Sequence, residues 1–309
     1  MNLDPLNQTN LFGHGHHLIL LKNLYIQNKL PNQILLSGEK GVGKCTLAYH
    51  LINYILSADE DFSYDLKNFK INSKNKSFQL TQNKSNPNIY LIDVAADKKN
   101  IDINQIRNLI LNLNKSSFNS KPRFVLIDNT ELLNINSTNS LLKILEEPND
   151  NIYFLLINNN KRILPTLKSR CLNFKISLTY DQSIEIINKK LKDNIYHLLN
   201  KELISNYSTP GHLLSIINLT NIINVDIKNI NLKDFLSVII RDKYYMKETS
   251  VKDLIFSLIE LYFRINISVK NIRLMNIHNY FLKKIKDKKK FNLDEETLFM
   301  EFEEKVLNG

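Results

Sequence analysis

Seven residues, Gly38-Glu39-Lys40-Gly41-Val42-Gly43-Lys44, match the pattern G-x-x-x-x-G-K. The chemistry of that spacing is the capture of phosphate. Glycines let backbone N–H groups turn inward around phosphate oxygens, the helix that follows adds partial positive charge, and Lys44 neutralises the outer phosphates. Hydrolysis asks for more. The next position should carry a hydroxyl to ligate Mg²⁺, but it is Cys45, and a neutral thiol is a poor partner for a hard cation. Thr46 comes one residue late, about 100° further around a helix, and would serve only in a slipped register. An acidic position follows the apolar run Phe124–Ile127, where Asp128 could hold Mg²⁺ directly or through water. Nucleotide hydrolases of the Asp-Glu type place the water-activating carboxylate immediately afterwards. Here that residue is Asn129, and an amide cannot accept a proton near neutral pH. Glu131 lies two residues further on and is expected to point elsewhere. Two independent defects therefore strike one reaction.

The elements that must position these residues can be read from the pattern. Short apolar runs at Ile34–Leu36, Ile89–Ile92, Phe124–Ile127, Tyr153–Ile157 and Leu172–Phe174 alternate with amphipathic stretches. Leu47, Leu51 and Ile55 share one helix face, and Ile103, Ile106, Ile110 and Leu113 another, behind a capping-box-like Asp102…Gln105 pair. Strands of this kind with helices between them predict a buried parallel sheet. Residues 59–86 are polar and non-periodic, which predicts a surface loop or insertion. From His212 to Asn308 there is neither Gly nor Pro. Leu254, Leu258, Leu261 and Ile265 fit one helix face there, and Phe235, Leu236, Ile239 and Ile240 another, so this stretch reads as all-helical. Boundaries near 178 and 225 give three parts: 1–177, 178–224 and 225–309.

Composition agrees with a soluble chain that meets polyanions. The 309 residues carry 41 Lys+Arg against 31 Asp+Glu, a net charge of +10. No uncharged apolar run is long enough to span a bilayer, and the start has no export-signal pattern, so a cytoplasmic location is expected. Two cysteines exclude a disulfide scaffold and a four-cysteine zinc site.

Four stretches together resemble one family. They are Leu11-Phe12-Gly13-His14, the loop at 38–46, Asn139-Ser140-Leu141-Leu142-Lys143-Ile144-Leu145-Glu146-Glu147-Pro148, and Leu164-Pro165-Thr166-Leu167-Lys168-Ser169-Arg170-Cys171. The chain is similar to bacterial clamp-loader subunits of DNA polymerase III, in the AAA+ class, and most similar to their delta prime branch. Good motifs cover roughly residues 10–220; the remainder matches only in length and helical character.

The resemblance implies a RecA-like AAA+ P-loop αβα domain, a small helical lid and an all-helical C-terminal collar. It implies that Arg170, in Ser-Arg-Cys, reaches across a subunit interface as a trans arginine finger to the γ-phosphate of ATP held by a neighbour. Asn158 stands where the family carries a polar γ-phosphate sensor. Ser208–His212 falls where active members carry a second sensor arginine, and none is present. The implied assembly is a hetero-pentamer with tau/gamma and delta subunits that places a sliding clamp on primer-template DNA, as part of a DNA-directed DNA polymerase holoenzyme. No intrinsic ATPase is expected. The degenerate set Gly38, Gly41, Gly43, Lys44, Cys45, Thr46, Asp128, Asn129 and Asn158 would require no cofactor, hold ATP, ADP or phosphate without turnover, and retain Mg²⁺ doubtfully. The alternatives are an active tau/gamma-like motor, with Thr46 and Glu131 taking over the missing roles, and a P-loop kinase or DNA-binding adaptor outside replication.

Other residues invite weaker readings. His14, His16 and His17 lack acidic or cysteine partners for a metal apart from Asp4, and an adenine-proximal or surface place suits them better. Asn83-Lys84-Ser85-Asn86 lacks the aspartate that would read guanine. Arg170 beside Cys171 would lower the thiol pKa. The basic run Lys283–Lys290 reads as a solvated helix end or a contact for nucleic acid or an acidic partner.

Overall fold

The computed structural model describes residues 4–95, 98–146, 151–223, 228–247, 249–267, 272–291 and 294–308. They form two compact units, residues 1–186 with 209–211, and residues 187–208 with 212–309. The expected boundary near 225 lies outside the described residues, as do Glu147 and Pro148 of the third family stretch.

All five expected strands are present in the first unit. They are β1 (Gln33–Ser37), β2 (Ile89–Ile92), β3 (Arg123–Ile127), β4 (Ile152–Asn158) and β5 (Leu172–Lys175), in the order β2-β3-β4-β1-β5. Every pairing is parallel, with Leu36 opposite Ile157 and Phe174, and Leu126 opposite Leu155. The strands are apolar on both sides because both faces are covered. Ile34 and Leu36 pack on one side with helices α1 (Gly15–Ile26) and α2 (Lys44–Leu56). Leu35, Val125, Phe154 and Leu156 pack on the other. There they meet α4 (Ile103–Leu113) and α5 (Ile135–Glu146), which follow α3 (Lys76–Gln82) in the chain. The Asp102–Gln105 capping box closes the start of α4 from both sides. The sheet therefore brings the carboxyl ends of β1, β3 and β4 together, and the loop 38–43 spans β1 to α2.

The segment 59–86 is a correction to the sequence reading. It folds into the first core rather than lying over it. Tyr64, Ile71 and Phe78 are buried. Asn75 caps α3 through Phe78 N–H at 2.9 Å, and its Oδ1 accepts from Asn53 of α2 at 3.1 Å. The apolar residues are too widely and irregularly spaced to show a period, and buried amides do the fastening.

His50 of α2 is fully buried under this segment, with Nδ1 2.8 Å from Tyr64 Oη and Nε2 3.1 Å from the Gln8 carbonyl. Burial pulls its pKa to about 4, against 6.5 for an ordinary histidine. Between those values the unfolded chain binds a proton that the folded chain refuses, so stability falls as pH drops through the window. Denaturant melts at pH 7 and pH 4.5 should differ by about 2 kcal/mol from this residue. His50→Gln should flatten that dependence. An unchanged pH slope in the variant would show that His50 does not carry it.

The regular elements described in the second unit are helices. They include α7 (Tyr180–Leu191), which begins in the first unit, the short α8 (Ile195–Leu198), and α9 (Pro210–Ile223). Then come α10 (Leu232–Arg241), α11 (Tyr244–Lys247), α12 (Thr249–Asn266), α13 (Ile272–Phe291) and α14 (Glu295–Phe302). Phe235, Leu236, Ile239 and Ile240 bury one face of α10, and Leu254, Leu258 and Leu261 bury that of α12. Ile265 departs from the expected face and is 50% exposed. Phe263, Phe281 and Phe302 meet with ring centroids 5.5–6.1 Å apart. Of the basic run, Lys284 pairs with Glu301, while the side chains of residues 286–290 lie outside the described set. No helix among the described residues is long and apolar enough to cross a membrane.

Candidate nucleotide site

The loop after β1 has the backbone of a phosphate loop. Gly41 and Gly43 take positive φ, 86° and 96°, and Gly43 is the N-cap of α2. Left-handed backbone at these two positions favours glycine. Gly38 serves differently. Its N–H donates to the Asn158 carbonyl at 3.2 Å, and a Cβ on it would lie 2.0 Å from the Ile176 carbonyl oxygen.

Lys44 is buried, and its amine is already engaged. Nζ donates to the carbonyls of Gly38 at 2.9 Å and Glu39 at 2.7 Å, and to Asn159 Oδ1 at 2.9 Å. Burial pulls its pKa to about 8, although Asp128, Glu131 and Glu39 favour the charged form. The half-buried Cys45 shares a hydrogen bond with Asp128, the thiol donating. Withdrawal from water and the nearby Asp128 carboxylate push the Cys45 pKa well up. Asp128 is raised too, first by burial and then by Asp93. A protonated thiol and a carboxylate that already accepts from that thiol and from the Asn129 N–H, at 2.8 Å, do not fit as a Mg²⁺ ligand set. Thr46 is half-buried and makes no hydrogen bond through its side chain to a described residue.

Asn129 occupies the left-handed region, φ 53°, and its amide donates to Asp93 Oδ1 at 2.9 Å. Its own Oδ1 accepts from Asn159 Nδ2 at 2.9 Å. Glu131 corrects the sequence reading. It does not point away, for its carboxylate accepts from the Asn159 N–H at 3.2 Å and the Asn159 amide at 3.0 Å. A tight turn at 130–132 swings it back beneath the end of β4. Asn158 is buried under this network and donates to the Lys161 carbonyl at 3.0 Å and to Glu131 at 3.4 Å. Asn159 is the residue that joins Lys44, Asn129 and Glu131. Sequence reasoning missed it because three asparagines follow one another at 158–160 and pattern alone does not rank them. It also missed Asp93. The parallel register of Ile92 with Ile127 would have set Asp93 beside Asp128.

Two further contacts close on the loop from residues 209–211, which belong to the first unit, at Thr209 and Gly211. Thr209 Oγ1 donates to the Lys40 carbonyl at 2.8 Å, and the Gly211 N–H donates to that of Gly41 at 2.9 Å. A Cβ on Gly211 would sit 2.6 Å from Gly41 Cα. The backbone of this segment thus lies directly on the loop and leaves no room there for a longer side chain.

The remaining candidates are spread out. Arg170 follows the short helix α6 (Pro165–Ser169). It is half-buried and pairs with Glu146 at 2.5 Å, and it donates to the Thr166 carbonyl at 3.0 Å. Burial pushes the Cys171 thiol up to about 11, so the activating influence expected from Arg170 is overruled by desolvation. His14 is buried, with Nε2 2.5 Å from the Val42 carbonyl, while the rings of His16 and His17 lie 3.8 Å apart at a tilt of 41°. No cluster of three or more metal-ligating side chains occurs among the described residues.

Residues 13–179 match the family described as DNA polymerase III, delta subunit. The chain is 33% identical over 179 residues to DNA polymerase III subunit delta' of Buchnera aphidicola subsp. Baizongia pistaciae, covering 56% of this chain and 49% of that protein. It is 30% identical over 186 residues to subunit gamma/tau of Mycoplasma genitalium, covering 60% of this chain and 30% of that protein. The matched part thus spans half or less of these curated relatives. A DNA polymerase III gamma subunit-related protein from Thermotoga maritima superimposes with a TM-score of 0.53 at 18% identity, covering 91% of this chain and 96% of that one. That likeness is one of fold.

Proposed function

Because the chain belongs to the DNA polymerase III delta-subunit family of clamp-loader proteins, we propose that it is a delta prime-type subunit that does not turn over ATP itself and presents Arg170 to a neighbour's ATP. The observation that carries this reading is the pair Cys45–Asp128, a protonated thiol hydrogen-bonded to the carboxylate that would have to hold Mg²⁺. The neighbouring groups add to this. Asn129 offers no base, and its amide is bonded to Asp93 and Asn159. Glu131 is the carboxylate an active-motor reading would need, and Asn159 holds it through two hydrogen bonds.

Within this reading residues 178–224 are the lid and residues 225–309 the collar of a cytoplasmic hetero-pentamer with tau/gamma and delta subunits. ATP cycling in the tau/gamma subunits opens a sliding clamp and places it on primer-template DNA. The test is ATP turnover by the purified chain with Mg²⁺, with and without primed DNA. No turnover above background is expected. Turnover that vanished in Lys44→Ala would make the chain a motor in its own right.

A further inference from the structure

Beside the β1–β4 end of the sheet, the first unit holds a cleft of about 490 Å³; Asn158 is among its lining residues, but none of the roles above uses its cations. Lys161, Arg162 and Lys168 all line it, and no Asp or Glu does. Arg162 and Lys168 form no ion pair and no side-chain hydrogen bond with a described residue. Lys161 lies 3.9 Å from Glu131, whose oxygens already accept from Asn158 and Asn159. Edge strand β5 is partly uncovered beside the cleft, and Leu172 is 51% exposed. Polar rim groups stand ready as well. Ser37 and Asn173 are joined at 2.7 Å, and Asn160 reaches Glu39 at 2.7 Å.

Of the three cations on this concave surface only Lys161 is paired with a described carboxylate, and such a surplus of positive charge favours a compact anion. The cleft adjoins the carboxyl ends of β1 and β4, where open α/β sheets hold ligands. Its volume falls in the range of small-ligand sites, about 300–1,000 Å³. A nucleic-acid backbone would instead call for an extended strip of cations. The cleft adjoins the phosphate loop through Asn158 and Asn160, but Lys44 is not among its lining residues, so its cations are a different set. We propose that this cleft is a second anion site, which takes the polyphosphate chain of a nucleoside di- or triphosphate or a free inorganic polyphosphate. It stands independently of the role given to Arg170.

The test is calorimetric titration of the full chain with inorganic tripolyphosphate in the absence of Mg²⁺. Saturable binding should persist in Lys44→Ala and weaken about tenfold or more in Arg162→Glu/Lys168→Glu. It should also weaken with added salt. ATP that displaces tripolyphosphate identifies a nucleotide as the source of the phosphates, and tripolyphosphate that ATP cannot displace identifies the inorganic chain. Both substituted residues are exposed, so the double variant should melt like the parent. Amide exchange in the unsubstituted chain should slow at residues 161–168 on addition of tripolyphosphate. Absence of binding, or binding lost in Lys44→Ala and kept in the double variant, would overturn the proposal. So would a double variant that loses only duplex DNA.

Discussion

Alanine at Arg170 is expected to lower ATP turnover at the neighbouring site of a reconstituted clamp loader by about a thousandfold or more, while this chain melts as before. A guanidinium placed against the γ-phosphoryl oxygens neutralises charge that grows in the transition state, so its loss falls on the chemical step. In the isolated chain the same side chain is held by an exposed pair with Glu146 and by the Thr166 carbonyl. An exposed pair of this kind contributes about 0–1 kcal/mol, so Arg170 can leave it for a triphosphate at small cost, and its removal should hardly move the melting curve. Arg170→Lys separates charge from geometry. It keeps the positive charge but not the planar fork and should recover only a small part of the rate. The measurement is steady-state ATPase and clamp loading with the wild-type or variant chain titrated into the other subunits. Full activity with the alanine variant would remove Arg170 from the reaction.

The parallel sheet was legible because buried strands need continuous apolar runs, and all five such runs became strands. The helices α2 and α4 were legible for the matching reason, a single apolar stripe with a recognisable start. What stayed hidden was held by amides. Asn53, Asn75 and Asn159 each form cross-links that no hydrophobic period announces, in a chain where asparagine is common enough to carry no signal. Glu131 was misplaced on the same account. Counting residues past Asp128 takes no notice of the turn at 130–132 that brings the carboxylate back beneath β4. Cys171 was misread because a neighbour in sequence was treated as a neighbour in space, whereas Arg170 points to Glu146 and the thiol is governed by burial. The missing hydroxyl at 45 and missing base at 129 needed no structure, because they rest on side-chain chemistry alone. The contact of Gly211 with Gly41 joins residues far apart in sequence, and only the fold brings them together.

Gly38→Ala is expected to destabilise the first unit by about 3 kcal/mol or more. Where backbone and space permit, glycine to alanine stabilises by about 0.4–1 kcal/mol through the unfolded state, so the sign of the result decides between two accounts of this residue. The added Cβ would lie 2.0 Å from the Ile176 carbonyl oxygen and 3.1 Å from its carbon, both backbone atoms that cannot rotate away. Relief would require the chain after β5 to move. The Ile176 N–H donates to the Ser37 carbonyl at 2.7 Å, and Ser37 pairs with Lys175, so that movement strips the end of the β1–β5 ladder. It also disturbs the Gly38 carbonyl that accepts from Lys44. The measurement is amide exchange along β1 and β5 together with denaturant unfolding, without assuming that the two units unfold as one. Exchange should quicken in both strands and leave the α10 and α12 amides unchanged. A variant as stable as the parent would mean that the strands yield without loss, and glycine at 38 would then answer to the approach of a phosphate, as the G-x-x-x-x-G-K pattern suggests. A destabilised variant would mean that this first glycine is required by the packing of β5 against the loop, whether or not a phosphate ever binds.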